Sequence, residues 1–334
     1  MRDDQEESRK PLGVLACLSL GFETIAHFPQ LALLPGLLDL FLWLGPRLSL
    51  APLVRPLMSG WPAPDPNLAP VYQTLRVLLE ELATDFNGFV LLNPGPLLGV
   101  PELMGQRMTL ARPMGPRPDL PINSWAMLLG WTVFLIICGL GLNALYLQPI
   151  GRRVIEMTES PLPGPTTWPR IWGQLVQFMA GLMIALAIMS IPALLILGLI
   201  STLNMVLGSF FTMLALALVM YTAVQFIFTV PGMLQLRQPL HKALQDSILL
   251  VRVDFAGTMG LLLAVLVISQ GLNFVWALPE PDSWTMLVGI GGHALVSTAL
   301  TAALLVFYQE RLAYLRLIQE AYATQRAPSQ VTDI

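Results

Sequence analysis

Six stretches of the chain, about 29–45, 124–147, 178–200, 205–230, 255–278 and 284–308, are apolar over close to the roughly 20 residues that cross a bilayer core. The first is short and borrows length from what precedes it. No Asp, Glu, Lys or Arg occurs between Arg170 and Arg237, so the third and fourth stretches follow one another as a hairpin. Pro192, inside the third, predicts a kink of the kind membrane helices tolerate when neighbours satisfy the freed carbonyl.

The flanks carry a different pattern. Before the first, third and fifth stretches stand PLGVLACLSLGFETIAHF, TTWPRIWGQLVQ and QPLHKALQDSILLVRVD, each with apolar positions at helical spacing. In the last, Leu240, Leu244, Ile248 and Val251 form the stripe, with His241, Lys242, Gln245 and Arg252 mostly off it. Thr166 or Thr167 is placed to cap the second of these helices, with Pro169 at an early helical position. Helices of this type lie in the membrane interface. The predicted fold is therefore all-α: an integral membrane bundle of about six transmembrane helices, arranged as three hairpins, each preceded by an interfacial amphipathic helix.

Between the first two spans lies a proline-rich connection in which Val71, Leu75, Leu78, Leu79, Leu82 and Phe86 mark an amphipathic helix ending at Asn87–Gly88. Gly95 to Gly105 reads as a second apolar surface piece. The resulting organisation is 1–45, tail, interfacial helix and first span; 46–123, an extracytoplasmic segment; 124–308, a five-span bundle; and 309–334, a cytoplasmic tail.

Charge fixes an expected orientation. Of 18 Lys and Arg, twelve fall in the amino-terminal tail, the 152–170 and 237–252 connections and the carboxyl tail, which marks that side as the inside. Six fall in the long 46–123 connection, whose length removes it from the rule. Trp43, Trp125, Trp276 and Trp284 fall at the opposite ends of their spans, at headgroup level. Both termini are thus expected in the cytoplasm, and the membrane is expected to be the cytoplasmic membrane of a bacterium. The start MRDDQEESRK is acidic, which speaks against a cleaved signal peptide. A net charge of −3 without a basic patch gives nucleic-acid binding no support. Cys17 and Cys138 sit in apolar stretches and read as small buried hydrophobes.

GFETIAHFPQLALLPGLLDLFLWLGPRL and ALQDSILLVRVDFAGTMGLLLAVLVI resemble uncharacterised bacterial polytopic proteins, the YciC-like group and the membrane domain fused to some glycerophosphodiester phosphodiesterases. The shared feature is a helix bearing a serine, here Ser247, then a short charged stretch and a glycine-containing span. The resemblance implies a helical membrane fold. It supplies no catalytic residues, and the phosphodiesterase catalytic domain is not part of it.

No motif of soluble enzymes survives inspection: Walker A, HExxH, GxSxG and CxxC are all missing. Gly289 to Ala294 is glycine-rich but lies in a span. Interest falls instead on ionisable residues at membrane depth. Glu23 and His27, four apart, share a helix face as a polar pair or as a proton or ion relay. Asp39 lies about 9 Å from the end of the first span at 1.5 Å per residue, in a structural or a functional role. Gly289, His293 and Ser297 repeat every four positions, a small-polar stripe of the kind that marks helix contacts in lipid. His293 is then an interhelical hydrogen-bond residue; a haem or chlorophyll ligand or a transport-path histidine are the sharper alternatives. Gly260 and Ala264 in the fifth span offer the matching seam. The sequence leads to a non-enzymatic scaffold, assembly factor or accessory subunit without cofactor or metal. It would contact lipid and, through residues 46–123, a protein partner. The alternative is a transporter or permease component using polar residues of spans one, five and six.

Overall fold

The computed structural model describes residues 11–61, 69–95, 98–107, 111–160 and 162–326, with side chains to Leu317. Arg2, Arg9 and Lys10, which entered the orientation argument, and Pro96–Leu97 of the second apolar piece lie outside the described residues. The fold is all-α, with two three-residue strands. In order come α1 (Val14–His27), a 3-10 turn (Pro29–Ala32), α2 (Leu33–Leu44), β1 (Arg47–Ser49), α3 (Ala51–Ser59), α4 (Ala69–Asp85), a second 3-10 turn (Gly88–Leu92), β2 (Asp119–Pro121), α5 (Trp125–Met157), α6 (Trp168–Leu203), α7 (Met205–Gln225), α8 (Thr229–Gln235), α9 (Leu240–Val253), α10 (Phe255–Trp276) and α11 (Met286–Arg326). Among the described residues, five helices are long and apolar enough to span a membrane. A sixth span exists only if α1 and the Pro29–Leu44 segment count together across the break at Phe28. This is a multi-pass membrane protein.

The chain forms two compact units: residues 1–26, 148–265 and 299–334 in one, and 27–147 and 266–298 in the other. They do not follow the four sequence segments, because α5, α10 and α11 each contribute one end to each unit. Residues 46–123 lie wholly in the second.

In the first unit, α1 and α9 are built alike. Both have 14 residues, and four of the five buried positions of α1 have a buried counterpart in α9 226 positions on: Cys17 and Ala243, Gly21 and Ser247, Thr24 and Leu250, Ile25 and Val251; Leu18 is buried where Leu244 is half-buried. The residues that end them, Phe28 (φ −130°, ψ 62°) and Asp254 (φ −126°, ψ 62°), share one non-helical conformation and the same separation. At Gly21 an added Cβ would sit 2.5 Å from the Ala299 carbonyl oxygen and 2.7 Å from Ala303, so α1 lies directly on the α11 backbone. Ser247 does equivalent work for α9, donating to the Gln225 carbonyl (2.7 Å) and accepting from the Phe228 N–H (3.1 Å) where α7 ends. The buried stripe of α9 is therefore Ala243–Ser247–Leu250–Val251, one position round from the predicted one. Only Val251 is common to both, because the small residue is what permits close approach.

The middle repeat departs from the expected form. No interfacial helix breaks from the third span: α6 runs unbroken for 36 residues, through Pro192, from Thr167, whose side chain makes no capping bond. Its first turns are buried at Ile171, Gln174, Leu175 and Met179, and the remainder is exposed or half-buried. The α6–α7 turn is made by Asn204, whose side chain accepts from the Val206 and Leu207 N–H groups as an N-cap.

The second unit holds α2, the outer segment and the adjoining parts of α5, α10 and α11. β1 pairs in parallel with β2, so the segment begins and ends side by side. The amphipathic helix predicted at 71–86 is α4. Helix ends here are closed by arginine, since C-terminal carbonyls lack intrahelical donors and attract cations. Arg47, 4% exposed, donates to the carbonyls of Ala83 and Thr84 at the end of α4. Arg112 and Arg117 donate to the carbonyls of Leu44 (2.5 Å) and Trp43 (2.6 Å) at the end of α2. Arg107 donates to the Ala277 carbonyl after α10. The buried Trp43 ring packs edge-on to Trp284 and donates its N–H to the Pro281 carbonyl at 2.8 Å.

Candidate functional site

Two of the ionisable residues singled out in the sequence meet. Asp39 leaves α2 with 0% exposure, and His293 leaves α11 with 5%. His293 Nδ1 lies 3.5 Å from Asp39 Oδ2. What lets the helices place them so is the small residue on either side: a Cβ on Gly36 would sit 3.9 Å from the Ala294 Cβ. The histidine stripe thus divides by function. Gly289 packs against the Trp276 carbonyl, which an added Cβ would approach to 2.5 Å. The Ser297 hydroxyl, half-buried, donates to its own helix at the His293 carbonyl (2.6 Å). His293 alone reaches the carboxylate.

Asp39 is held by a third element that the sequence did not bring to it. Its Oδ1 accepts the consecutive N–H groups of Leu103 (2.7 Å) and Met104 (2.8 Å). Two backbone donors on one oxygen compensate part of the cost of removing a carboxyl group from water. The loop that supplies them is itself buried: Leu98, Val100, Leu103 and Met104 are each at most 6% exposed. It folds tightly enough that a Cβ on Gly105 would fall 1.8 Å from Glu102 Oε2. Read from sequence as a surface piece, it is instead a tucked segment.

That segment carries the residue the sequence reading missed. Glu102 is 6% exposed. Burial, and secondarily the negative charge of Asp39, push its carboxyl up to about 7, while bonds from the Gly105 N–H and the Asn93 side chain pull slightly the other way. Asp39 Oδ2, Glu102 Oε2 and His293 Nδ1 are buried atoms without a hydrogen-bond partner. A signal was present: a lone carboxylate among Leu98, Val100, Leu103 and Met104, bracketed by glycines, is costly to bury unless it has a task. Beside the loop a small cleft is walled by Met104, Gly105 and the half-buried Asp85, Arg107 and Arg117.

The other candidates stay apart. Glu23 and His27 lie exposed on α1. Gly260 has only Val14 of α1 within 4 Å of an added Cβ, so the glycine expected to meet α11 faces α1 instead. Ala264 is half-buried. Cys17 and Cys138 are free thiols, buried and half-buried. Among the described residues no three His, Cys, Asp or Glu are grouped to hold a metal ion. Asp39 and His293 therefore meet directly, and Glu102, on the loop whose next two N–H groups hold Asp39, lies near enough to feel the Asp39 charge.

No protein-family model, curated protein or solved structure matches the chain.

Proposed function

We propose that the chain is a non-enzymatic scaffold, assembly or accessory subunit of a bacterial cytoplasmic membrane, with both termini inside and residues 46–123 turned outward toward a protein partner. The observation that carries this reading is the surface of α4. Arg47 locks its carboxyl end, yet Val71, Leu75, Val77 and Leu78 are 66, 44, 57 and 55% exposed. An apolar row of this kind on a positioned helix fits a groove or helix of another chain. The inside-face assignment rests on the one-sided Lys and Arg count; the resemblance to YciC-like proteins implies the helical membrane fold alone.

A photo-reactive residue at Val71 or Leu75 in the native membrane tests the proposal. The expected outcome is one discrete protein adduct, absent with the probe at exposed Glu81. Lipid adducts alone at both positions would refute the partner. A second reading, a transporter or permease component, draws support from the meeting of Asp39 and His293, and is distinguished by a solute flux in vesicles carrying the purified chain.

A further inference from the structure

We propose that Asp39, Glu102 and His293 form a proton-binding site, with the proton on Glu102, and that its occupancy holds the loop Leu98–Arg107 against α2 and α11. The inference is independent of the partner reading above, since it concerns only this cluster.

Three ionisable groups are each over nine-tenths buried, with His293 Nδ1 3.5 Å from Asp39 Oδ2 and Glu102 within reach of the Asp39 charge, and among the described residues the helices around them bring no further charge. In this unit α5 and α10 contribute no Asp, Glu, Lys, Arg or His; α2 contributes only Asp39 and α11 only His293. The loop's one cation, Arg107, is directed to the Ala277 carbonyl and, at 3.2 Å, to the Met286 sulfur. Arg112 and Arg117 are occupied at the end of α2, and Asp85 lines the cleft beyond Gly105. His293 stands 3.5 Å from Asp39, which also holds the two N–H bonds of Leu103 and Met104. A second buried carboxylate beside that pair has no counter-charge, so Glu102 stays docked as the neutral acid. Its partnerless Oε2 is the atom that carries the proton.

The loop responds as a unit because the bonds tying it to α2 are its own backbone N–H groups at Leu103 and Met104, directly after Glu102. Undocking exposes Glu102, which gives its proton to water and becomes an ordinary carboxylate. The step conserves charge without any other reactant.

The sign follows from the direction of the shift. The docked acid titrates near 7 and the free acid near its ordinary 4.5, so the docked loop binds the proton more tightly. Docking is strongest in acid, weakens as pH rises from about 4.5 to about 7, and levels off above that. The shift corresponds to a change on the order of a hundredfold in the docking equilibrium.

The test is the labelling rate of Leu103→Cys by a membrane-impermeant maleimide, in the full chain with Cys17→Ala and Cys138→Ala. Rates are normalised at each pH to exposed Ser59→Cys, which removes the thiol's own titration. The normalised rate should rise at least tenfold between pH 5 and 7.5 and then flatten. Adding Glu102→Gln, which stays neutral, should hold it at the low-pH value throughout. Amide exchange at Leu103 and Met104 in the unsubstituted chain, corrected for intrinsic pH dependence, gives a second measurement without a core substitution, and protection should fall over the same window. A flat profile in both measurements, or an unchanged rise with Glu102→Gln, would overturn the proposal.

Discussion

Over its most apolar stretch α6 is buried nowhere, whereas 67% of the corresponding stretch of α11 is buried, although α6 is the more apolar of the two. Apolarity does not distinguish them, because in lipid a leucine gains nothing by leaving hydrocarbon for a protein interior. Small and polar side chains do. Along α11, Ala294, Ala299, Ala302 and Ala303 are buried with His293 and Thr298, whose hydroxyl accepts from Tyr146 at 3.2 Å. Along α6, from Ile184 to Leu203, large aliphatic side chains point outward, and Gly181 and Gly198 have nothing near enough to meet a side chain. The α6–α7 hairpin is a lipid-facing element anchored at its base, whereas α11 is packed against protein over most of its apolar stretch.

The comparison is broken most severely at Gly21. Gly21→Leu forces a side chain into the α11 backbone, and a loss of about 3 kcal/mol or more is expected. It should be read as a large fall in detergent melting temperature or failure to yield monodisperse protein. Melting within a degree or two of the parent would mean that α1 does not rest on α11 as described.

A smaller effect is expected from His293→Gln. The substitution keeps a hydrogen-bonding group but removes the imidazole beside Asp39, leaving the Leu103 and Met104 N–H groups to hold the fully buried Asp39 side chain. A cost of about 2 kcal/mol is expected, above the average of about 0.6 kcal/mol for polar contacts between membrane helices. Pairing it with Asp39→Asn checks the contact, because the double substitution should cost less than the sum of the two singles. Strict additivity would show the pair to be uncoupled.

The smallest effect belongs to α6. Gly181→Leu adds a side chain where only lipid waits, so stability should change by no more than about 0.5 kcal/mol. A large loss in the same melting assay would show that α6 packs against protein over this stretch.

Much of the architecture was legible in the chain because the bilayer imposes few solutions. Backbone polar groups must be satisfied within the segment, so long apolar runs become helices wherever they occur. That reasoning located the five long helices, the amphipathic α4 and the serine-bearing α9. It also flagged Asp39 and His293, since charge at depth is costly whatever surrounds it. It placed the interfacial break wrongly in the middle repeat, where Trp168 to Leu203 continues as one helix. Hydrophobicity reports that a segment enters the membrane, and the 226-residue correspondence of Phe28 and Asp254 is written in backbone angles that no periodicity reveals.

What the sequence by itself determined was therefore the set of elements and the residues too costly to bury without reason. What only the tertiary structure decided was which of them meet. Asp39 and His293 stand 254 positions apart, and the loop that bonds Asp39 carries its acid inside what reads as an apolar surface patch. Their union depends on Gly36 letting α2 approach α11 and on two backbone N–H groups aimed at one oxygen. Those are properties of packing between distant segments, where side-chain volume and bond direction decide the outcome and local composition is silent.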